Sequence, residues 1–191
     1  WDAFMALASG RDDIAGVILE PAGGSCGTIP TDHDFLTRLR AFTRAQGVVL
    51  IFDEVISGFR VAPGGAQQRY GIYAALTTLA KILAGGLPGG AVVGSAPLMD
   101  QLAFRDDPAW NREERVGHAG TFNANPLSAA AGLATLPLLA DGQVQIGADR
   151  AGQTLRNGLT EVIKALGADA CVYGESSIVN LFLGPLRHGR L

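Results

Sequence analysis

Two short apolar runs near the start of the chain predict neighbouring strands. The first covers residues 15–19 and stops at Glu20 and Pro21. The second covers residues 48–52 and is apolar at every position, a pattern typical of a parallel strand that is covered on both faces. A strand, a helix and a second strand at this spacing predict a βαβ unit with a right-handed crossover.

The segment between these two runs predicts an amphipathic helix over residues 32–46. Phe35, Leu39 and Phe42 recur along it at helical spacing. Thr31 precedes the helix and an acidic residue stands three positions further on, which is the pattern of a capping box. We therefore expect Thr31 to be the N-cap.

Alternating strand and helix patterns continue along the chain. The further predicted elements are strands at 76–79 and 91–94, helices at 97–104 and 126–140, a helix from about residue 147, and strands at 170–173 and 178–183. A shift in composition near Gly142 predicts a large domain over residues 1–142 and the start of a smaller α+β domain over residues 143–191. The fold class predicted for the large domain is α/β, with three layers around a mostly parallel sheet.

Charge and composition exclude several classes of function. The 191 residues include 15 basic and 18 acidic side chains, a formal charge of −3, and no basic stripe, so neither nucleic acid nor a membrane surface is an expected partner. The uncharged stretches 82–99 and 116–140 are interrupted by Gly, Pro or polar residues and do not predict spanning helices. Cys26 and Cys171 are far apart and form no disulfide or metal-binding pattern, which predicts a reducing, cytoplasmic location.

The distribution of lysine gives the strongest chemical signal. Only Lys81 and Lys164 are lysines, and Lys164 lies on the predicted solvent side of a helix. Lys81 is the only charged residue in the 30 positions from Tyr70 to Met99, and the Gly-rich segment 85–90 follows it. A buried lysine has a lowered pKa and attacks carbonyl carbon well, which favours a catalytic role. The alternative is a lysine that extends from a loop into water.

Acidic residues follow both predicted N-terminal strands. Asp53 and Glu54 come directly after residues 48–52, and Glu20 ends the neighbouring strand in the same way. Ligands bind at the carboxyl ends of strands in open α/β sheets, so two acids can face one crevice. Paired carboxylates also fit glycoside hydrolysis or a divalent metal site, although both leave Lys81 unexplained. A helix cap or loop role is the structural alternative for Asp53.

The segment before the helix at 126–140 predicts an anion site. Free backbone N–H groups and a hydroxyl ahead of a helix bind anions, and Thr121 supplies that hydroxyl. Asn125 and Pro126 are explained by ordinary positions at the N-cap and the first helical residue. Helix capping does not explain Thr121. The Ala- and Gly-rich helix favours close packing against a second subunit, with burial inside one subunit as the alternative.

Four motifs in this order and spacing resemble the class III pyridoxal-phosphate aminotransferases, and most of all their glutamate-1-semialdehyde 2,1-aminomutase-like members. The motifs are Val17–Pro21, Leu50–Arg60, Thr77–Gly90 and His118–Pro126. The match covers about residues 15–140 and represents a central fragment of the usual chain. Ala74-Ala75 stands where the family has Pro-Asp, a departure expected to change a local turn.

The resemblance implies the fold of pyridoxal-phosphate transferases of fold type I, with pyridoxal 5′-phosphate as cofactor. Lys81 is then the Schiff-base lysine and moves the proton between the substrate Cα and the cofactor, while Asp53 pairs with the pyridine nitrogen. Val55 packs on the ring, Glu20 lies near Asp53, and Thr121 reaches the phosphate bound by the partner subunit of a homodimer. The implied substrate is a small amino acid, amino aldehyde or keto acid. A fragment that keeps the fold without turnover is the alternative function.

Overall fold

The computed structural model describes residues 1–23 and 31–185. A four-stranded sheet organises the N-terminal part in the order β1-β2-β3-β4. The strands are β1 (Gly16–Leu19), β2 (Val49–Asp53), β3 (Leu76–Ala80) and β4 (Gly90–Gly94). The first three strands are parallel and β4 runs antiparallel to β3. The predicted α/β fold with a mostly parallel sheet is confirmed.

The helices connect and cover these strands. They are α1 (Asp2–Ala8), α2 (His33–Ala45), α3 (Gly65–Tyr70), α4 (Ala96–Met99), α5 (Pro126–Leu139) and α6 (Gln143–Leu166), with a 3₁₀ turn at Lys81–Ala84. The apolar stripe of α2 packs on β2 and forms the main core. That core consists of Leu36, Leu39, Leu50, Phe52 and Ile72. Ile51 on the opposite face of β2 is half-buried, so the two faces of this strand are covered unequally.

The N-cap of α2 differs from the prediction. Asp32 is the cap, and its carboxylate accepts a hydrogen bond from the backbone N–H of Phe35 at 3.0 Å. Thr31 instead donates its hydroxyl to the carbonyl of Glu20 at 3.1 Å and so ties the helix entry to the end of β1. The hydroxyl of Thr31 therefore already has a partner just after β1. The helix-capping propensity of Thr31 does not reveal such a contact.

Two predicted helices have other bounds. The helix expected at 97–104 is divided into the short α4 and a 3₁₀ turn at Asp100–Leu102, after which the chain is extended. The helix expected from residue 147 begins at Gln143, because Gly142 adopts a left-handed φ of 77° and separates α5 from α6. The carboxylate of Asp141 accepts from the Gln143 N–H at 2.9 Å and supports this start.

The C-terminal part contains a second, antiparallel sheet of β5 (Ala170–Tyr173) and β6 (Asn180–Leu183), with α6 packed against β5. The second strand begins two residues later than predicted, because the Ile178 N–H closes a turn onto the carbonyl of Glu175 at 2.9 Å. The division into domains near Gly142 stays a prediction. Across the described residues, no helix has the length and apolarity needed to cross a membrane.

Candidate cofactor site

Asp53 occupies the carboxyl end of β2, at the edge of the sheet where sequence analysis placed it. Its Oδ1 accepts hydrogen bonds from the Val55 N–H at 3.0 Å and from the Thr78 hydroxyl at 3.2 Å. Both donors end on the same oxygen, and within the described residues Oδ2 has no protein donor. One face of the carboxylate is thus fixed by the protein while the other is available to a ligand.

Lys81 follows the carboxyl end of β3 and opens the 3₁₀ turn. In the parallel pairing of β2 with β3, Asp53 lies opposite Thr78, and Lys81 comes three residues after Thr78. The backbone of Lys81 is left-handed, with φ of 51°, which is unusual for a residue other than glycine. Its side chain is exposed. The interpretation of Lys81 as a buried lysine is therefore wrong for the single chain. No acidic group in the described residues pairs with its ammonium.

Glu20 and Val55 lie at the same edge of the sheet. Glu20 follows β1, which pairs in parallel with β2, so the carboxyl ends of the two strands are adjacent. Its side chain is half-buried. Val55 is half-buried in the turn after β2 and contributes its N–H to Asp53. The topology therefore brings Glu20, Asp53, Val55 and Lys81 to one edge, as expected for a crevice at strand ends.

Thr121 belongs to a different segment of the chain from these residues. It lies exposed in the turn before α5, and no hydrogen bond within the described part of the chain joins it to Asp53 or Lys81. Asn125 caps α5 as expected, since its Oδ1 accepts from the N–H groups of Leu127 and Ser128 at 2.9 and 3.3 Å. The role of Thr121 at the site therefore stays a prediction.

Small residues bring α5 close to the turn that carries Lys81. A Cβ on Gly132 would lie 2.5 Å from the carbonyl oxygen of Leu83, and a Cβ on Gly85 would lie 2.6 Å from that of Ala131. Beside this contact lies a groove of about 650 Å³, lined in part by Leu83, Pro88, Phe122, Ser128 and Leu133. Asp53, Lys81 and Thr121 are not among its lining residues, although Leu83 and Ala84 belong to the turn that Lys81 opens.

Sequence reasoning missed two residues of the site. The hydroxyl of Thr78 holds Asp53, and a comparison of strand registers would have indicated it, since the two residues are paired. Gln67 contacts both Glu54 and Thr77 through its side-chain amide. No pattern along the chain singles it out. Of the two cysteines, Cys26 lies outside the described residues and Cys171 is a half-buried free thiol in β5.

The family model for class-III aminotransferases matches residues 2–168, and the chain belongs to this family. Glutamate-1-semialdehyde 2,1-aminomutase of Methanothermobacter thermautotrophicus is 43% identical over 182 residues, which are 95% of this chain and 41% of that protein.

Among solved structures, an omega-transaminase from Sphaerobacter thermophilus is 39% identical with a TM-score of 0.82, over 97% of this chain and 40% of that one. A transaminase with PLP bound is 33% identical with a TM-score of 0.80, over 93% and 40%. The chain thus spans about two fifths of the length of these relatives.

Proposed function

We propose that this chain carries the cofactor centre of an enzyme that transfers amino groups with pyridoxal 5′-phosphate. The observation that carries the proposal is the placement of Asp53 and Lys81 at the carboxyl ends of adjacent parallel strands. Lys81 comes three residues after Thr78, the strand partner of Asp53, and directly after the last residue of β3. A carboxylate and an amine thus follow two neighbouring strands at the usual ligand-binding edge.

The groups present fit this cofactor. Covalent attachment of an aldehyde needs an accessible amine, and Lys81 is exposed with no ion-pair partner among residues 1–23 and 31–185. A pyridine nitrogen needs an available carboxylate oxygen, and in the same described ranges Asp53 Oδ2 has no donor while Oδ1 is held by Val55 and Thr78. When bound, the cofactor supplies an electron sink for a carbanion at the substrate Cα.

In this proposal each residue has a separate task. Asp53 would hold a proton at the ring nitrogen, and Val55 would contact the ring. Lys81 would hold the cofactor and would serve as the general base for the proton at the substrate Cα. Glu20 is the further acid at the adjacent strand end.

The backbone of Lys81 supports a functional role. Left-handed conformations of residues other than glycine cost roughly 1–3 kcal/mol and cluster at active sites, where surrounding structure maintains them. Here the neighbouring Gly85 is also left-handed, with φ of 61°, and packs against α5. The turn is therefore held from both sides in a conformation that places Lys81 beyond the strand end.

We further propose that the protein forms a homodimer in which Thr121 serves the phosphate of the partner's site. Apolar side chains around α5 are left exposed by the single chain: Phe122 by 80%, Leu127 by 67%, Leu133 by 75% and Leu138 by 70%. An apolar surface of this extent favours coverage by another subunit.

The proposed substrates are small amino acids, amino aldehydes or keto acids, handled in the cytoplasm. Two versions of the reaction are open, because one relative is named an aminomutase and another a transaminase. An aminomutase rearranges one amino aldehyde without added acceptor. A transaminase requires a separate keto acid, so single-substrate turnover distinguishes the two.

Borohydride reduction of the protein loaded with pyridoxal 5′-phosphate tests the central assignment. Peptide mapping is expected to find the pyridoxyl adduct on Lys81, and to find it retained in Lys164→Ala but lost in Lys81→Ala. An adduct on Lys164, or none on Lys81, contradicts the proposal. An adduct on Lys81 without turnover of any amino donor identifies the alternative, a fragment that keeps the fold without catalysis.

A further inference from the structure

We infer that the buried Glu54 and the half-buried Gln67 form a positioning pair that fixes the carboxylate of Asp53 toward the cofactor. This inference rests on the proposed function, because it concerns how the proposed partner of the ring nitrogen is held. Neither residue is placed to touch the cofactor. Both act through the two donors that Asp53 accepts from.

Glu54 is a carboxylate that the protein surrounds with donors. It is 1% exposed, and its two oxygens accept from the Ser57 hydroxyl at 3.0 Å and the Ala66 N–H at 2.5 Å, and from the N–H and side-chain amide of Gln67 at 3.3 and 3.2 Å. Gly65 has φ of 68°, and a Cβ there would overlap the Glu54 carboxylate. The loop after β2 is therefore wrapped around this side chain.

Gln67 extends the network to β3. Its side-chain nitrogen donates to the Thr77 hydroxyl at 2.9 Å, and its side-chain oxygen accepts from the Ala74 N–H at 3.0 Å. One amide thus joins Glu54, the segment before β3 and Thr77 within β3. The loop and the strand cannot shift relative to one another without breaking it.

The two donors to Asp53 each follow a residue of this network. Val55, whose N–H donates to Asp53, comes directly after Glu54. Thr78, whose hydroxyl donates to the same oxygen, comes directly after Thr77. The pair therefore holds the residue that precedes each donor. In this way it determines which oxygen of Asp53 accepts from the protein and which is left for the cofactor.

The chemistry of the pair favours positioning over stability. No cation within the described residues forms an ion pair with Glu54. Burial of a carboxylate is costly even when it is hydrogen-bonded, and well-packed apolar residues would stabilise the same space as well or better. A fully satisfied polar network instead fixes one geometry. Asp53 requires such a fixed geometry if its carboxylate is to face a ring nitrogen.

The test compares two probes, pyridoxal 5′-phosphate and its 1-deaza analogue, in which carbon replaces the ring nitrogen. The parent protein is expected to bind the first about 10-fold more tightly or better, the worth of one charge-assisted hydrogen bond. In Glu54→Gln and Gln67→Leu this ratio is expected to fall below about 3-fold, because a displaced Asp53 loses the contact that only one probe can make.

Thr43→Val serves as the matched control. Thr43 is fully buried in α2 and donates to the carbonyl of Arg40, away from this network. The variant is expected to lower the unfolding midpoint and leave the ratio of the two affinities unchanged. A merely structural role for Glu54 and Gln67 would weaken both probes equally, as in any loosened protein.

An unchanged ratio in folded Glu54→Gln and Gln67→Leu overturns the inference. If those variants do not fold, Thr77→Val decides instead, since it deletes one hydroxyl of the network and keeps the side-chain shape. An unchanged ratio in Thr77→Val likewise overturns it. Equal affinity of the parent for the two probes, or no adduct on Lys81, is a different outcome and refutes the proposed function itself.

Discussion

Replacement of Gly132 by alanine tests how closely α5 must approach the turn that carries Lys81. In a helix interior this change normally stabilises by about 1 kcal/mol. Here the added Cβ would lie 2.5 Å from the carbonyl oxygen of Leu83, which is backbone and cannot rotate away. Overpacking costs roughly 1–3 kcal/mol, and a contact this short with backbone belongs to the upper half of that range. After the helical gain of about 1 kcal/mol is subtracted, we expect a net loss of about 1–2 kcal/mol in the free energy of unfolding.

Gly158→Ala provides the control in another helix. Gly158 lies in α6, and a Cβ there would meet no atom within 4 Å, so this variant is expected to gain about 0.5–1 kcal/mol. Urea denaturation followed by circular dichroism gives both values, provided that the slopes of the transitions agree. The reasoning is refuted if Gly132→Ala is as stable as the parent, because α5 would then have room to move.

Two further predictions concern the C-terminal contact and the proposed dimer. In the folded protein the pKa of Tyr70 is raised, mainly by burial and secondly by its hydrogen bond to Glu175. In the unfolded chain the same side chain ionises near pH 10. The free energy of unfolding should therefore fall as the pH rises above about 10, and Tyr70→Phe should reduce that fall; an unchanged alkaline slope contradicts this. In sedimentation equilibrium Leu133→Asp should shift the protein toward monomer more than Leu155→Asp does, and a parent that is an active monomer contradicts the dimer.

Local patterns predicted the elements that lie in the core. The helical spacing of Phe35 and Leu39 and the continuous apolar run at 48–52 correspond to α2 and β2, because burial of one helix face against a strand imposes those periods. The helix start was less predictable. Thr31 and Asp32 are both good caps, and the choice depended on the carbonyl of Glu20, just after β1, which accepts the hydroxyl of Thr31.

The candidate site was predictable to a similar degree. A lysine isolated among uncharged residues and an acid at a strand end indicated Lys81 and Asp53 without knowledge of the fold. Their proposed tasks came from the resemblance to a family, not from those patterns. The left-handed backbone of Lys81 was not predictable, because it depends on a turn whose Gly85 packs against α5. The sequence left open whether the side chain of Lys81 is buried or exposed, and only the structure decided it.

By itself, the sequence determined the alternation of strands and helices, the family motifs and the positions of the chemical groups along the chain, since each of these depends on neighbours within a few residues. Only the tertiary structure decided which donors hold Asp53, that Gln67 links the loop after β2 to β3, and that Gly132 meets Leu83. Apart from the bond from the Val55 N–H to Asp53, these contacts join residues 10 to about 50 positions apart. The geometry that links such residues is created when strands pair and helices pack, and no local period records it.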